Sequence, residues 1–183
     1  MNDRLDAARE ALARLVVDVP DFPEPGVVFK DISPLLADHQ GFTAVIEALA
    51  LPGRDDSGSV VVDKVVGMEA RGFILAAPVA LLLGCGFVPV RKEGKLPGET
   101  YAVSYALEYG EATLELQQDA IRPGERVLLV DDVLATGGTV AATVRLIEQC
   151  GGVPHAFSGL MELGFLDPRQ NTGDLPVVSV VTL

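Results

Sequence analysis

The chain has 183 residues, the size of a single domain that buries about 70% of its unfolded surface. Hydrophobic residues make up 49% and charged residues 22%, an ordinary globular composition, and the many Val, Ala, Leu and Gly residues fit an α/β sheet covered by helices. A net charge of −12 argues against a broad basic footprint for nucleic acid, and leaves room for a small anionic ligand in a local pocket.

The first residues, MNDRLDAARE, carry charge and no apolar stretch, so no secretory signal is expected. The longest apolar run, 73–83, is too short to span a bilayer and contains Pro78. Cys85 and Cys150 lack metal-ligand spacing, and His39 and His155 lie far apart, so the thiols read as buried apolar groups in a reducing compartment. A cytoplasmic chain with no nucleic-acid or membrane partner is the expectation.

In chain order, Leu5, Ala8, Leu12, Leu15 and Val16 repeat near 3.6 residues and predict an amphipathic helix over 3–17. Residues 18–36 are rich in proline and read as an ordered extended segment without regular structure, because proline fixes φ and removes a donor. A helix is predicted over 41–50. A βαβ pattern follows, with a strand at 60–66, a helix at 73–83 and a strand at 87–91. Residues 100–117 alternate weakly and predict a β-hairpin turning at 109–110. A strand at 126–130, a helix at 138–150 and strands at 155–162 and 176–182 complete an open, mostly parallel twisted sheet with helices on both faces.

The strand at 126–130 is continuously apolar, as one buried on both faces must be. Asp131 and Asp132 follow it, at the carboxyl edge where ligands of such sheets bind. Adjacent acids repel, so their presence calls for donors or cations, and two neighbouring sugar hydroxyls supply donors. Next come Ala135, Thr136, Gly137, Gly138 and Thr139 at the start of a helix. The glycines let backbone approach a ligand, the helix end offers free N–H groups, and the threonines add hydroxyls, which together make a cradle for a phosphate monoester. The lysine of GxxxxGK[ST] and the spacing of GxGxxG are both missing, so neither of those nucleotide-binding loops is indicated. The plainer alternative is a helix cap and a turn, for which one Asp would suffice.

The string VLLVDDVLATGGT resembles the phosphoribosyl pyrophosphate signature of the type I phosphoribosyltransferases. That resemblance implies that the acids hold the ribose hydroxyls and the TGGT loop holds the 5′-phosphate. Three more stretches, DFPEPGVVFKDISPLL (21–36), EARGF (69–73) and VRKEGKLPGETYAVSYALEYG (90–110), resemble the adenine phosphoribosyltransferases within it. The likeness runs over about 15–165 and is thinnest in DPRQNTGDLPVVSV. It implies one phosphoribosyltransferase domain over 1–183, with a small N-terminal hood and base-binding segment over 1–36 and a flexible catalytic hairpin loop over 91–117.

Arg71 sits between a strand and a helix, where its guanidinium fork suits a pyrophosphate better than a surface ion pair. The resemblance further implies a cis peptide between Glu69 and Ala70. Arg91, Lys92 and Lys95 concentrate positive charge in one segment, either as a solvated hairpin or, by resemblance, as part of the loop that closes on the donor. Glu108 matches the family's catalytic acid/base, an assignment that rests on resemblance alone. Tyr105 and Tyr109 flank it and either cover the ligand or pack the hairpin. Val28 and Lys30 are implied to contact adenine through the main chain, with Phe29 beside the ring; core packing is the alternative for Val28 and Phe29.

The implied reaction is transfer of the 5-phosphoribosyl group from 5-phosphoribosyl 1-pyrophosphate to N9 of adenine, giving AMP and pyrophosphate. Mg²⁺ is the implied cofactor, held mainly by substrate with no direct protein ligand, and a homodimer is the implied assembly, with Arg91 the candidate for reaching the partner's site. Another purine base on the same fold, and a regulator that binds the donor without catalysis, are the rival readings.

Overall fold

The computed structural model describes residues 2–106 and 111–183. It divides into two compact units, Met1–Ala48 and Leu49–Leu183.

The first unit opens with helix α1 (Asn2–Leu15), which buries Ala8, Ala11 and Leu12. The helix stops short of the predicted 17 because Val17, β-branched and near Pro20, joins a strand instead. The segment expected to lack regular structure holds an antiparallel pair, β1 (Val17–Pro20) and β2 (Val28–Asp31), in register from Val17↔Asp31 to Pro20↔Val28. Its prolines stand where they cost little: Pro20 ends a strand, and Pro34 enters the first turn of α2 (Ser33–Ala37), where an N–H has no helical acceptor. Between the strands the Phe22–Pro23 peptide is cis, and Asp21 Oδ1 accepts a 2.8 Å bond from the Gly26 N–H. Helix α3 (His39–Leu49) starts where Asp38 Oδ1 accepts from the Gly41 N–H at 2.7 Å.

The second unit is a seven-stranded sheet. Its elements are β3 (Lys64–Met68), α4 (Arg71–Leu83), β4 (Gly86–Lys92), β5 (Thr100–Ala106), β6 (Glu111–Gln117), β7 (Arg126–Leu134), α5 (Gly138–Gln149), β8 (Val153–Glu162) and β9 (Val177–Thr182). The order is β5-β6-β4-β3-β7-β8-β9. Strands β4, β3, β7, β8 and β9 run parallel, and the β5–β6 hairpin adds antiparallel to β4. This is the open, mostly parallel sheet read from the pattern. The strand predicted at 60–66 lies further on, because the exposed Asp63 interrupts the valines: its N–H donates to the Arg126 carbonyl at 2.8 Å, and its carboxylate Oδ2 accepts from the Arg126 N–H at 2.8 Å.

Alternation along β3 and β7 divides the core between two layers. Val66, Met68, Val127 and Leu129 share one buried cluster with Leu146 and Ile147 of α5. Val65, Leu128 and Val130 point the other way, and α4, which packs on β3 and β7, buries Leu75, Ala76 and Val79. Burying branched side chains on both faces is worth about 1.5–3 kcal/mol each, which is why the central strands read as unbroken apolar runs. That double-sided core fixes the carboxyl ends of β3 and β7 side by side.

Candidate functional site

Strand β7 does not end at Val130. It stays paired with β8 through the acids, with Asp131 opposite Gly159 and Val133 opposite Met161. The acids are thus held by a ladder rather than a loop. Asp131 Oδ1 accepts a 2.9 Å bond from the N–H of Asp132. The first turn of α4 lies directly on this carboxyl: a methyl at Gly72 would sit 2.9 Å from Asp131 Oδ1 and from the Val130 carbonyl. Only glycine permits that approach.

Asp132 is 4% exposed. Its Oδ2 lies 2.8 Å from Arg71 Nη2, an ion pair by distance, yet no N–H or O–H among the described residues is aimed at that oxygen in hydrogen-bond geometry. Arg71 is the first residue of α4, so EARGF and the acid pair meet at one point. Burial raises the Asp131 carboxyl well above the usual carboxylate range, and the neighbouring Asp132 charge adds to this. Burial raises Asp132 too, opposed by Arg71.

Residues 135–137 connect β7 to α5. Gly137, at φ 82°, is left-handed and caps the helix, as a glycine there allows. Gly138 and Thr139 begin the helix, where their N–H groups have no acceptor four residues back. Thr136 is exposed and Ala135 half-buried. Thr139 Oγ1 lies 3.1 Å from the Tyr105 hydroxyl, so Tyr105 of β5 borders the loop, a neighbour that its hairpin position left open between two roles. The Thr139 carbonyl accepts from Thr143 Oγ1 at 2.8 Å.

The basic segment gathers on a single carboxylate, Glu69. Lys95 Nζ donates to its Oε1 at 2.7 Å, and Arg91 Nε and the Lys92 backbone N–H donate to its Oε2 at 3.2 and 3.0 Å. Arg91 also donates to the Lys95 carbonyl at 3.2 Å and stands 5.9 Å from the centre of the Phe73 ring. Burial alone would raise Glu69, but the bonds from Lys95, Lys92 and Arg91 outweigh it and hold the carboxyl at about 2. The Lys92 side chain is exposed. The Glu69–Ala70 peptide is cis. Glu69 was not among the residues singled out as a ligand or catalyst; the signal was a carboxylate next to Arg71 in a chain with so local a basic run.

Val28, Phe29 and Lys30 all lie on β2 of the first unit. Val28 is 53% exposed, so it is not a core residue. Phe29 meets Phe22 edge-on at 5.1 Å. Lys30 Nζ donates to Asp18 at 2.7 and 2.8 Å. Glu108, with Tyr109 and the predicted turn, lies outside the described residues.

The phosphoribosyl transferase domain family matches residues 35–153. An adenine phosphoribosyltransferase from a Nocardioides species is 67% identical over 174 residues, covering 95% of this chain and 94% of that one. This chain belongs to the adenine phosphoribosyltransferase family. Among solved structures, the adenine phosphoribosyltransferase from Rhodothermus marinus is 49% identical with a TM-score of 0.89, covering 97% of this chain and 99% of its own. That from Saccharomyces cerevisiae, complexed with an imino-altritol bisphosphate and adenine, is 39% identical with a TM-score of 0.90, over 96% of this chain and 99% of its own. The adenine phosphoribosyltransferases thus share the fold of this chain over nearly its whole length, with the type I arrangement of sheet and helices.

Proposed function

We propose that this chain transfers the 5-phosphoribosyl group from 5-phosphoribosyl 1-pyrophosphate to N9 of adenine, giving AMP and pyrophosphate. The observation that carries the reading is the junction of Asp131, Asp132 and Arg71 beside the glycine-headed start of α5. The adenine and sugar-like bisphosphate bound by the yeast relative support it.

In this reading Asp131 and Asp132 accept the ribose hydroxyls. The enclosed Asp132 Oδ2 is an acceptor with no aligned donor among the described residues. Residues Ala135 to Thr139 hold the 5′-phosphate through backbone N–H groups and the threonine hydroxyls. Breaking the anomeric C–O bond builds oxocarbenium character, and carboxylates fixed beside the ribose offset that charge. Arg71 supplies cationic charge for the pyrophosphate. Lys92 carries an exposed ammonium in the same basic segment, and Arg91 and Lys95 exchange Glu69 for the leaving group. Val28 and Lys30 read the adenine edge through the backbone with Phe29 beside the ring, and the Lys30–Asp18 pair leaves that main-chain role intact. Glu108 manages the purine proton as general acid/base.

Among the described residues no three His, Cys, Asp or Glu side chains converge as a metal cage. The buried acid pair, with an acceptor lacking an aligned donor, fits an Mg²⁺ carried in by the substrate's pyrophosphate, hydroxyls and water. When bound, that ion neutralises charge on the leaving pyrophosphate.

A homodimer is supported by α4, which leaves Ile74, Leu81 and Leu82 at 45%, 83% and 45% exposure, apolar side chains at helical spacing that a second copy would cover. The free thiols Cys85 and Cys150 suit a cytoplasmic chain, and no helix among the described residues is long and apolar enough to cross a membrane. Pyrophosphate release tests the reaction. It should require adenine, the donor and Mg²⁺ together, and release from the donor alone would overturn the transfer reading.

A further inference from the structure

The segment between β8 and β9 has no part in the reading above, yet it is built against the phosphate loop. It holds two short 3₁₀ turns, Gly164–Leu166 and Pro168–Asn171. Where it leaves β8, the Leu163 N–H donates to the Leu134 carbonyl at 2.9 Å, at the residue just before the loop. Where it nears β9, Asn171 Nδ2 donates to the Thr136 carbonyl at 2.7 Å, inside the loop. Between these points the Pro168 carbonyl covers Gly137, so that a methyl added to Gly137 would collide with it and would lie 3.1 Å from Asn171 Cβ.

The turn itself is clamped. Arg169 Nε and Nη2 donate to Glu162 Oε1 and Oε2 at 2.7 and 2.8 Å, a two-pronged pair on the last residue of β8. Glu162 is 4% exposed, and the hydrogen bonds from Arg169 hold its carboxyl below the usual range. The buried Thr172 hydroxyl closes the turn on the Arg169 carbonyl at 3.1 Å.

We propose that segment 164–171 is a brace for the phosphate loop, and that Asn171 is a positioning residue for donor binding, acting through the peptide between Thr136 and Gly137. In a planar trans peptide the C=O and the following N–H point in opposite directions. By holding the Thr136 carbonyl, Asn171 turns the Gly137 N–H away from the brace. An anion seated at the start of α5 then finds that N–H already oriented, without an ordering cost at binding. The Glu162–Arg169 pair holds the turn that carries Asn171. The inference rests on residues 135–139 being the phosphate loop.

Calorimetric titration with ribose 5-phosphate, beside steady-state kinetics and Tm, tests it on the wild type, Asn171→Ala, Asn171→Asp and Arg169→Ala. Asn171 and Arg169 are exposed, so the variants should fold. Asn171→Ala should weaken ribose 5-phosphate by about three- to tenfold, the loss of one ordinary hydrogen bond. The donor KM should rise with kcat and the adenine KM unchanged. Asn171→Asp, which sets a carboxylate against the carbonyl, should weaken it more, and Arg169→Ala should follow Asn171→Ala. Wild-type affinity in Asn171→Ala would overturn the brace alone. Weakening of ribose 5-phosphate and adenine together with a fall in Tm would reduce Asn171 to a structural residue and overturn it also. A wild type without affinity for ribose 5-phosphate would overturn the phosphate-loop reading and the brace with it.

Discussion

Arg71 Nη2 and Asp132 Oδ2 stand 2.8 Å apart, joining the first residue of α4 to the buried end of β7. A buried carboxylate left without its cation is an uncompensated charge, which costs at least about 1–3 kcal/mol. Arg71→Met should therefore destabilise the chain by about that much, lowering Tm by about 2–4 °C per kcal/mol. Adding Asp132→Asn removes the charge that needed the cation. The double variant should be more stable than the sum of the single losses, and urea unfolding of all four proteins measures that coupling. Strict additivity would show that the pair carries no interaction.

Asp131 carries the clearest pH signature. Its carboxyl is raised well above the usual range by burial, with the Asp132 charge next. Hydroxyl donors and Mg²⁺ favour its ionised form, so donor binding should draw this raised carboxyl back toward ionisation. Donor affinity should fall as pH drops through this raised pKa, beginning at higher pH than for an ordinary carboxylate near 3.8. Titrations in buffers of different ionisation enthalpy should report proton release on binding in that range. Asp131→Asn should bind more weakly and show no such release.

Glu69 acts in the opposite sense. Its carboxyl is held at about 2 against an ordinary 4.5. The stability it contributes is complete above the unfolded value and is lost as pH falls from about 4.5 toward 2. Glu69→Gln should be less stable than wild type at neutral pH. The difference in Tm between the two should shrink as pH falls through that window, and a difference constant with pH would show that the Lys95 and Arg91 bonds are not set by charge.

Glu108 is assigned to proton transfer on the purine. Glu108→Ala should lower kcat by about 10²–10⁴-fold, the usual range for a general acid/base, and leave donor affinity close to wild type. Stopped-flow and binding measurements on the same preparation separate the two. Equal and small changes in both would remove Glu108 from the mechanism.

The acid pair and the TGGT loop were legible because their chemistry is local. An apolar strand, two carboxylates and a glycine-headed helix follow one another within residues 126–139, although the strand runs on through the acids to Leu134 instead of ending at Val130. The parallel core was legible for the same cause, since strands buried on both faces must be apolar throughout. The β1–β2 pair was not, because its register depends on partners across a proline-rich stretch whose own composition argues against strands. Glu69 was not legible as a hub, since its partners stand 22, 23 and 26 residues along the chain. Asn171 lies 35 residues from Thr136, in the stretch where the family resemblance is thinnest. Side chains that act through long-range pairs leave no periodicity behind.

Base choice tests the central claim most directly. Labelled adenine, hypoxanthine and guanine should be offered together at equal concentration with limiting 5-phosphoribosyl 1-pyrophosphate and Mg²⁺, and the nucleotide products separated. AMP should dominate, with pyrophosphate formed in equal amount. IMP or GMP in AMP's place would keep the acids and the phosphate loop but contradict the reading of Val28, Phe29 and Lys30, and no nucleotide from any base would contradict the transfer reaction itself.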